Sequence, residues 1–194
     1  MILEIQELTE AHLPMVDAFC CVESRESLSN LKSNDRRRVI KHSQEMENFL
    51  KIEALQEQNK YLNKTHLLVD IESRKIAGYI SICNDNIRIE DSEKNIFQFE
   101  YYTIPALKIA RLAIDNHYKN LGLGKYLISY AAYLGTLIRE YSGLVFLTLD
   151  CYSHRIGYYE HIGFVKNNYQ PNILQYDSPT SMRMLIDDFL ECQA

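Results

Sequence analysis

The chain has 194 residues, which is enough for one domain with a full hydrophobic core and short for two. Hydrophobic residues make up 46% and charged residues 24%, a composition that excludes a disordered or collagen-like chain. The formal net charge of -5 argues against a surface that binds nucleic acid over its whole extent. We therefore expect a single domain over residues 1–194.

The sequence predicts a cytoplasmic protein without a metal site. No apolar run approaches the roughly 18 residues that cross a bilayer, and Glu4 and Glu7 stand where a secretion signal carries basic charge. The five cysteines show no C-x-x-C or zinc spacing, and the histidines are scattered. We expect free thiols and no contact with a membrane.

The first part of the chain predicts a strand, helices and a hairpin. Residues 2–8 alternate weakly as in a strand, and Thr9 offers an N-cap for a helix toward Val22. Apolar residues over 34–59 recur three or four apart, which predicts one or two amphipathic helices. Residues 66–71 and 76–82 then predict an antiparallel hairpin with a polar turn.

The next segment, 85–95, is polar and predicts a loop or a frayed strand pair. In the following apolar stretch, 106–114, the hydrophobic residues change from odd to even positions. Because strand side chains alternate with a period of two, a β-bulge near Ala110 or Arg111 would explain the change. A strand buried on both faces would explain it equally well, and the residues leave both alternatives open.

Residues 112–125 predict a strand, a glycine loop and the start of a helix. Gly122-Leu123-Gly124 stands where unpaired backbone N–H groups and the helix dipole can bind a phosphate. A G-x-G pattern alone is weak, and a tight turn without a ligand is the common alternative. The third glycine of a dinucleotide motif and the hydroxyl of a P-loop are both missing. The predicted helix carries one apolar stripe, formed by Leu127, Ala131, Leu134 and Ile138.

The last part of the chain predicts a strand over 144–149, a helix over 153–161 that Gly163 ends, and a closing strand with Met182, Met184 and Ile186. Strands alternate with helices in the middle and flank them at both ends. The predicted fold class is therefore α/β, or α+β with a mixed sheet.

Three segments in this order and at this spacing resemble the GNAT superfamily of acyl-CoA N-acyltransferases. They are Leu112-Ala113-Ile114-Asp115, the loop Lys119-x-x-Gly122-x-Gly124, and Gly157-Tyr158-Tyr159-Glu160-x-x-Gly163-Phe164. Two upstream segments, 49–55 and Ile76-Ala77-Gly78-Tyr79, are similar to the subgroup that includes GNAT-type toxins acetylating aminoacyl-tRNA.

The resemblance implies a central mixed sheet with splayed parallel strands, 106–114 and 144–149, that hold acetyl-CoA as co-substrate. The pantetheine would pair with the backbone of 112–114, and the amides of residues 120–125 would bind the pyrophosphate. Lys119 replaces the usual Arg or Gln of the family, which keeps a cation but loses the planar fork. The implied cofactor-binding residues are Leu112, Ala113, Ile114, Lys119, Asn120, Leu121, Gly122, Leu123, Gly124 and Lys125.

The resemblance also makes Tyr159 the candidate general acid. An amine that attacks a thioester expels a thiolate, which a positioned O–H group can protonate. The alternative is an aromatic side chain packed in the core, since the chain has 14 tyrosines. Lys108 and its neighbours offer no carboxylate where some relatives keep a general base, and Glu100 is a candidate base acting through a water.

The predicted function is direct transfer of an acetyl group from acetyl-CoA to a primary amine of a small molecule or peptide, in a ternary complex. A toxin-like enzyme acting on aminoacyl-tRNA, with an antitoxin partner, is one alternative. The net charge argues against it, and the cluster Arg36-Arg37-Arg38 with Lys41 argues for it. A non-catalytic CoA-binding regulatory module is another alternative. The oligomeric state stays open, with a homodimer among the expectations.

Overall fold

The computed structural model describes residues 1–170 and 178–191. These residues belong to two compact units. The first contains Met1–Ile82 and Arg111–Leu127, and the second contains Cys83–Ala110 and the described residues from Ile128 onward. One domain over 1–194 stays a prediction.

Within the described residues, strands and helices alternate as the mixed α/β class requires. In chain order they are β1 (Leu3–Glu7), α1 (Leu13–Ala18), α2 (Ser33–Asn48), α3 (Ala54–Asn59), β2 (Lys64–Asp70), β3 (Lys75–Arg88), α4 (Asp91–Phe97), β4 (Thr103–Ile114), α5 (Leu123–Ile138), β5 (Phe146–Cys151), α6 (Ile156–Ile162), β6 (Val165–Lys166), β7 (Thr180–Leu185) and α7 (Ile186–Glu191). The sheet has the order β1-β2-β3-β4-β5-β7-β6. Strands β4 and β5 are parallel, whereas β1 with β2, β2 with β3, and β7 with both β5 and β6 are antiparallel. The predicted mixed sheet and the predicted hairpin are confirmed.

The core of the first unit is built on aromatic side chains from three elements. Phe19 follows α1, Phe49 lies in the π-helical turn Phe49–Glu53 that links α2 to α3, and Tyr79 lies on β3. Tyr79 meets Phe19 edge-on with ring centroids 5.7 Å apart, and it stacks on Phe49 at 6.1 Å. Its buried hydroxyl donates to the carbonyl of Met46 at 2.7 Å, so the polar end of the ring is satisfied.

The core of the second unit joins an apolar cluster to a buried ion pair. Phe146 on β5 meets Phe97 and Phe99 edge-on, and isoleucines from β3 and β4 complete the cluster. Beside it, the buried guanidinium of Arg183 donates to Glu93, and to the Asn167 side chain at 2.9 Å. A charge taken out of water needs such partners, so this pair fixes α4 against β7.

Several predicted boundaries differ from the structure. The first helix ends at Ala18 rather than near Val22, because Phe19 takes an extended conformation. Residues 85–95 are not a loop: β3 continues to Arg88, and α4 starts after a capping box between Glu90 and Glu93. The buried Ile87 and Ile89 give this segment strand periodicity that its polar neighbours conceal.

In strand β4 the buried side chains change from even to odd positions between Ala106 and Leu107, before the predicted position. Ala106 and Leu107 are consecutive and both buried, so this half of the strand is covered on both faces. Its parallel ladder with β5 is regular from Ala106↔Phe146 to Ile109↔Leu149. A β-bulge near Ala110 or Arg111 stays a prediction.

The helix ends follow the sequence closely. The apolar stripe of α5 buries Leu127 and Ala131 completely, as predicted. Helix α6 ends at Gly163, whose φ of 114° is a left-handed conformation that glycine adopts at little cost. The predicted end of this helix is confirmed, but α6 begins at Ile156 rather than at Ser153, because Ser153–Arg155 form a separate 3-10 turn.

The described residues bear on the expectations for disulfides, metal sites and membrane-spanning helices. Cys20, Cys21, Cys83 and Cys151 are free thiols, while Cys192 lies outside the described residues. Over 1–170 and 178–191, no three His, Cys, Asp or Glu residues converge as metal ligands. In the same part of the chain, no helix has both the length and the apolar character needed to cross a membrane.

Gly78 on β3 fits tightly against the end of β4, which leads to a stability prediction. A Cβ atom added at Gly78 would lie 2.6 Å from Cδ1 of Ile114 and 3.0 Å from the carbonyl oxygen of Ala113. We expect Gly78→Ala to lower the free energy of unfolding by about 1–3 kcal/mol through overpacking. Gly157→Ala is the matched control, because a Cβ there meets nothing within 4 Å and helix α6 gains from alanine. Urea unfolding that shows equal stability for both variants would contradict this packing.

Candidate functional site

The loop between β4 and α5 presents backbone N–H groups at a helix N-terminus. Asn120 with φ of 63° and Gly122 with φ of 76° are both left-handed, and α5 begins at the next residue, Leu123. The first N–H groups of an α-helix have no partner inside the helix, and the helix dipole is positive there. The predicted glycine loop therefore lies at the start of a 16-residue helix, where an anion can bind.

Glycine is needed at position 122 because of the backbone conformation, and not because a side chain would collide with its neighbours. A Cβ atom at this position would meet nothing within 4 Å, but φ of 76° is strained for any residue with a side chain. Asn120 tolerates the same region better than most residues. Leu121 between them is exposed.

Asp115 anchors the start of this loop. Its side chain is almost fully buried, and its backbone N–H donates to the carbonyl of Ala77 on β3 at 2.9 Å. One carboxylate oxygen accepts the backbone N–H of Cys20 at 2.9 Å, and the other accepts the backbone N–H of His117 at 2.9 Å. These bonds tie the loop to β3 and to the segment that follows α1.

Lys119, a predicted cofactor-binding residue, already has an anionic partner. Its Nζ lies 2.8 Å from Glu23 Oε1, and both side chains are largely buried, with 28% and 17% of their surfaces exposed. Sequence reasoning missed Glu23, because no local pattern connects it to a loop so far along the chain. The role of Lys119 toward a cofactor stays a prediction.

The predicted pantetheine residues Leu112, Ala113 and Ile114 are the last three of β4. The described parallel ladder of β4 ends at Ile109, so these three residues lie beyond its last pair. Ala113 is buried and its carbonyl faces Gly78. Their pairing with pantetheine stays a prediction.

Tyr159 lies on α6 with its ring held between two aromatic neighbours. The ring meets Tyr158 edge-on at 5.1 Å and Phe164 edge-on at 5.7 Å. Burial raises the pKa of Tyr159 above its ordinary value, so the hydroxyl is protonated at neutral pH. The half-buried side chain is neither a surface residue nor fully in the core, and its hydroxyl makes no hydrogen bond to residues 1–170 or 178–191.

A polar cluster on one face of β3, β4 and β5 supplies the carboxylates that the sequence of β4 lacks. Lys108 Nζ donates to Asp150 Oδ2 at 2.6 Å, and the Thr148 hydroxyl donates to Asp85 Oδ2 at 2.6 Å. Burial alone would lower the pKa of Lys108, but the hydrogen bond and charge of Asp150 outweigh it and the pKa is raised. Glu100 is exposed in the connection between α4 and β4, and its role stays a prediction.

The basic cluster on α2 is not one open cationic surface. The guanidinium of Arg36 donates to the carbonyls of Ser29 and Leu31 at 3.3 and 3.1 Å, so it closes the preceding turn. Arg38 pairs with Asp35 at 3.9 Å, and Lys41 pairs with Glu45 at 3.7 Å. Part of the predicted cluster therefore serves the fold.

The sequence matches a known family over most of the chain. The family model described as "Acetyltransferase (GNAT) domain" matches residues 37–173, which include the glycine loop and Tyr159. The chain belongs to the GNAT acetyltransferases. The predicted family is confirmed. The predicted activity, N-acetyl transfer with acetyl-CoA as co-substrate, is confirmed with it.

Solved structures of KacT and AtaT share the fold of this chain. A Tyr-to-Phe mutant of KacT is 15% identical with a TM-score of 0.75, and the match covers 99% of each chain. AtaT complexed with acetyl-methionyl-tRNAfMet is 16% identical with a TM-score of 0.74 over 100% of each chain. An AtaT mutant toxin bound to the C-terminus of the antitoxin AtaR and acetyl-CoA is 15% identical with a TM-score of 0.67, covering 99% of this chain and 98% of that one. No curated protein sequence matches significantly.

Proposed function

We propose that this GNAT enzyme binds the pyrophosphate of acetyl-CoA at the N-terminus of α5 and transfers the acetyl group directly to a primary amine, with Tyr159 as general acid. The observation that carries the proposal is the pair of left-handed residues, Asn120 and Gly122, that leads into a 16-residue helix. This backbone offers donors to an anion without any side chain.

Backbone donors on this loop suit a pyrophosphate better than a neutral ligand. The N–H groups of the first turn of α5 lack helix partners, and a dianionic group gains from both the hydrogen bonds and the dipole. Lys119 and Lys125 add cationic charge along the same short segment. The proposed contacts come from Asn120, Leu121, Gly122, Leu123, Gly124 and Lys125.

In the transfer step, the neutral amine nitrogen attacks the thioester carbonyl carbon, the new C–N bond forms and the C–S bond breaks. The amine loses one proton and the sulfur of CoA gains one, so the step is balanced without an oxidant or metal. Because Tyr159 is protonated at neutral pH and its hydroxyl has no partner in the described protein, it can donate to the developing thiolate. This donation is the role that we assign to it.

The acceptor that we propose is a small-molecule or peptide amine. The net charge of -5 and the use of Arg36 inside the fold both weaken the case for RNA. The tRNA seen with AtaT, and the antitoxin AtaR, make an aminoacyl-tRNA acceptor with a protein antitoxin the second candidate. A homodimer and a cytoplasmic location stay predictions.

Gly124→Val tests the cofactor loop. A β-branched side chain in the first turn of α5 would block the approach of a pyrophosphate to the backbone. We expect isothermal titration calorimetry with acetyl-CoA to show most of the affinity lost. Gly143→Val, in the connection after α5, is the control and should bind like the wild type. Full binding by a folded Gly124→Val would overturn the site.

Tyr159→Phe tests the general acid. Removing one hydroxyl should slow acetyl transfer by about 10²- to 10⁴-fold and leave the Kd for acetyl-CoA nearly unchanged. Tyr158→Phe removes the neighbouring hydroxyl and should retain activity. Single-turnover assays on a panel of amines, peptides and aminoacyl-tRNA measure the rate. An unchanged rate for Tyr159→Phe would assign the acid elsewhere.

A salt series separates the two acceptor classes. If aminoacyl-tRNA is the acceptor, cationic side chains must neutralise phosphates, and affinity should fall steeply as salt rises. We expect no appreciable binding in filter assays at physiological salt. Micromolar or tighter binding whose affinity falls steeply with salt concentration would favour aminoacyl-tRNA as the acceptor. In that case replacing Arg37 and Lys41 should weaken binding, and replacing the distant Lys64 should not.

A further inference from the structure

The loop that precedes α5 is clamped to the four-residue segment Cys20–Glu23. Besides the bond from Cys20 to Asp115, the Asn116 backbone N–H donates to the Cys20 carbonyl at 2.8 Å, and the Asn116 amide donates to the Val22 carbonyl at 2.9 Å. The ion pair between Lys119 and Glu23 closes the clamp. The segment is therefore held by the same residues that lead into the proposed phosphate loop.

The same segment is also bound to α2. The backbone N–H of Cys21 donates to Glu47 at 3.1 Å, and the backbone N–H of Glu23 donates to the Ser43 hydroxyl at 3.1 Å. The chain then passes through a turn at 25–30 to the start of α2. A change at Lys119 thus has a continuous hydrogen-bonded route to this turn.

Glu23 and a bound phosphate make opposing demands on Lys119. The ammonium group has one charge, and its shortest contact in this structure is the 2.8 Å pair with Glu23. A phosphate bound at this loop therefore competes with Glu23 for the charge of Lys119.

We propose that Glu23 is a positioning residue that competes with acetyl-CoA for Lys119, so that binding of acetyl-CoA loosens the clamp on residues 20–32. This inference rests on the proposed binding of acetyl-CoA at the loop. Coupling between two equilibria is reciprocal. Removing the Glu23 charge must therefore tighten acetyl-CoA binding, and acetyl-CoA must weaken the hold on the segment.

The test is calorimetry with acetyl-CoA on four proteins: wild type, Glu23→Gln, Lys119→Gln and the double variant. We expect Glu23→Gln to tighten Kd by about fivefold or more. In the Lys119→Gln background the same change should have a much smaller effect, which a merely structural role of Glu23 would not produce. Glu26→Gln removes the same charge three residues away in an exposed position and should leave Kd unchanged.

Hydrogen exchange of the folded wild type supplies the second readout. Bound acetyl-CoA should make amides in 20–32 exchange faster, although ligands ordinarily slow exchange. Weaker or equal binding by Glu23→Gln, or slower exchange in 20–32, would overturn the proposal. If Gly124→Val binds acetyl-CoA as the wild type does, the loop site itself fails. If only the Glu23 effects are missing, the site stands and the competition fails.

Discussion

The buried carboxylate of Asp115 is the constraint on which the candidate site depends. It stands directly after β4 and accepts backbone N–H groups from Cys20 and His117, while its own N–H bonds to β3. A buried carboxylate that lost these donors would carry a large desolvation cost, so the geometry around it is strongly fixed. The residues that follow must leave β4 in one direction, and two left-handed positions then turn them into α5.

The chemistry of the enzyme is divided between backbone and side chains. The proposed anion site uses N–H groups, whose positions the loop conformation sets, and so it tolerates varied side chains such as the exposed Leu121. Tyr159 instead depends on its surroundings, because burial raises its pKa and keeps the proton on the hydroxyl. Glu23 and Lys119 form a third kind of element, an ion pair whose cation a bound anion also attracts.

Features set by local residue types could be predicted from the sequence, whereas features set by distant contacts could not. The start of α5 after Gly122 and the end of α6 at Gly163 follow from backbone preferences of single residues. The ion pairs of Lys119 with Glu23 and of Arg183 with Glu93 join residues far apart in the chain, and no periodicity marks them. The resemblance to the family located the loop and Tyr159, but it could not assign the acceptor.

The proposed mechanism depends above all on the binding of acetyl-CoA through the backbone of the loop before α5. The most direct measurement is the amide NMR spectrum of the isotope-labelled wild type during a titration with acetyl-CoA. We expect the largest changes in chemical shift on the amides of residues 120–125, because new hydrogen bonds form there. Saturable binding that leaves these amides unchanged and shifts others would contradict it.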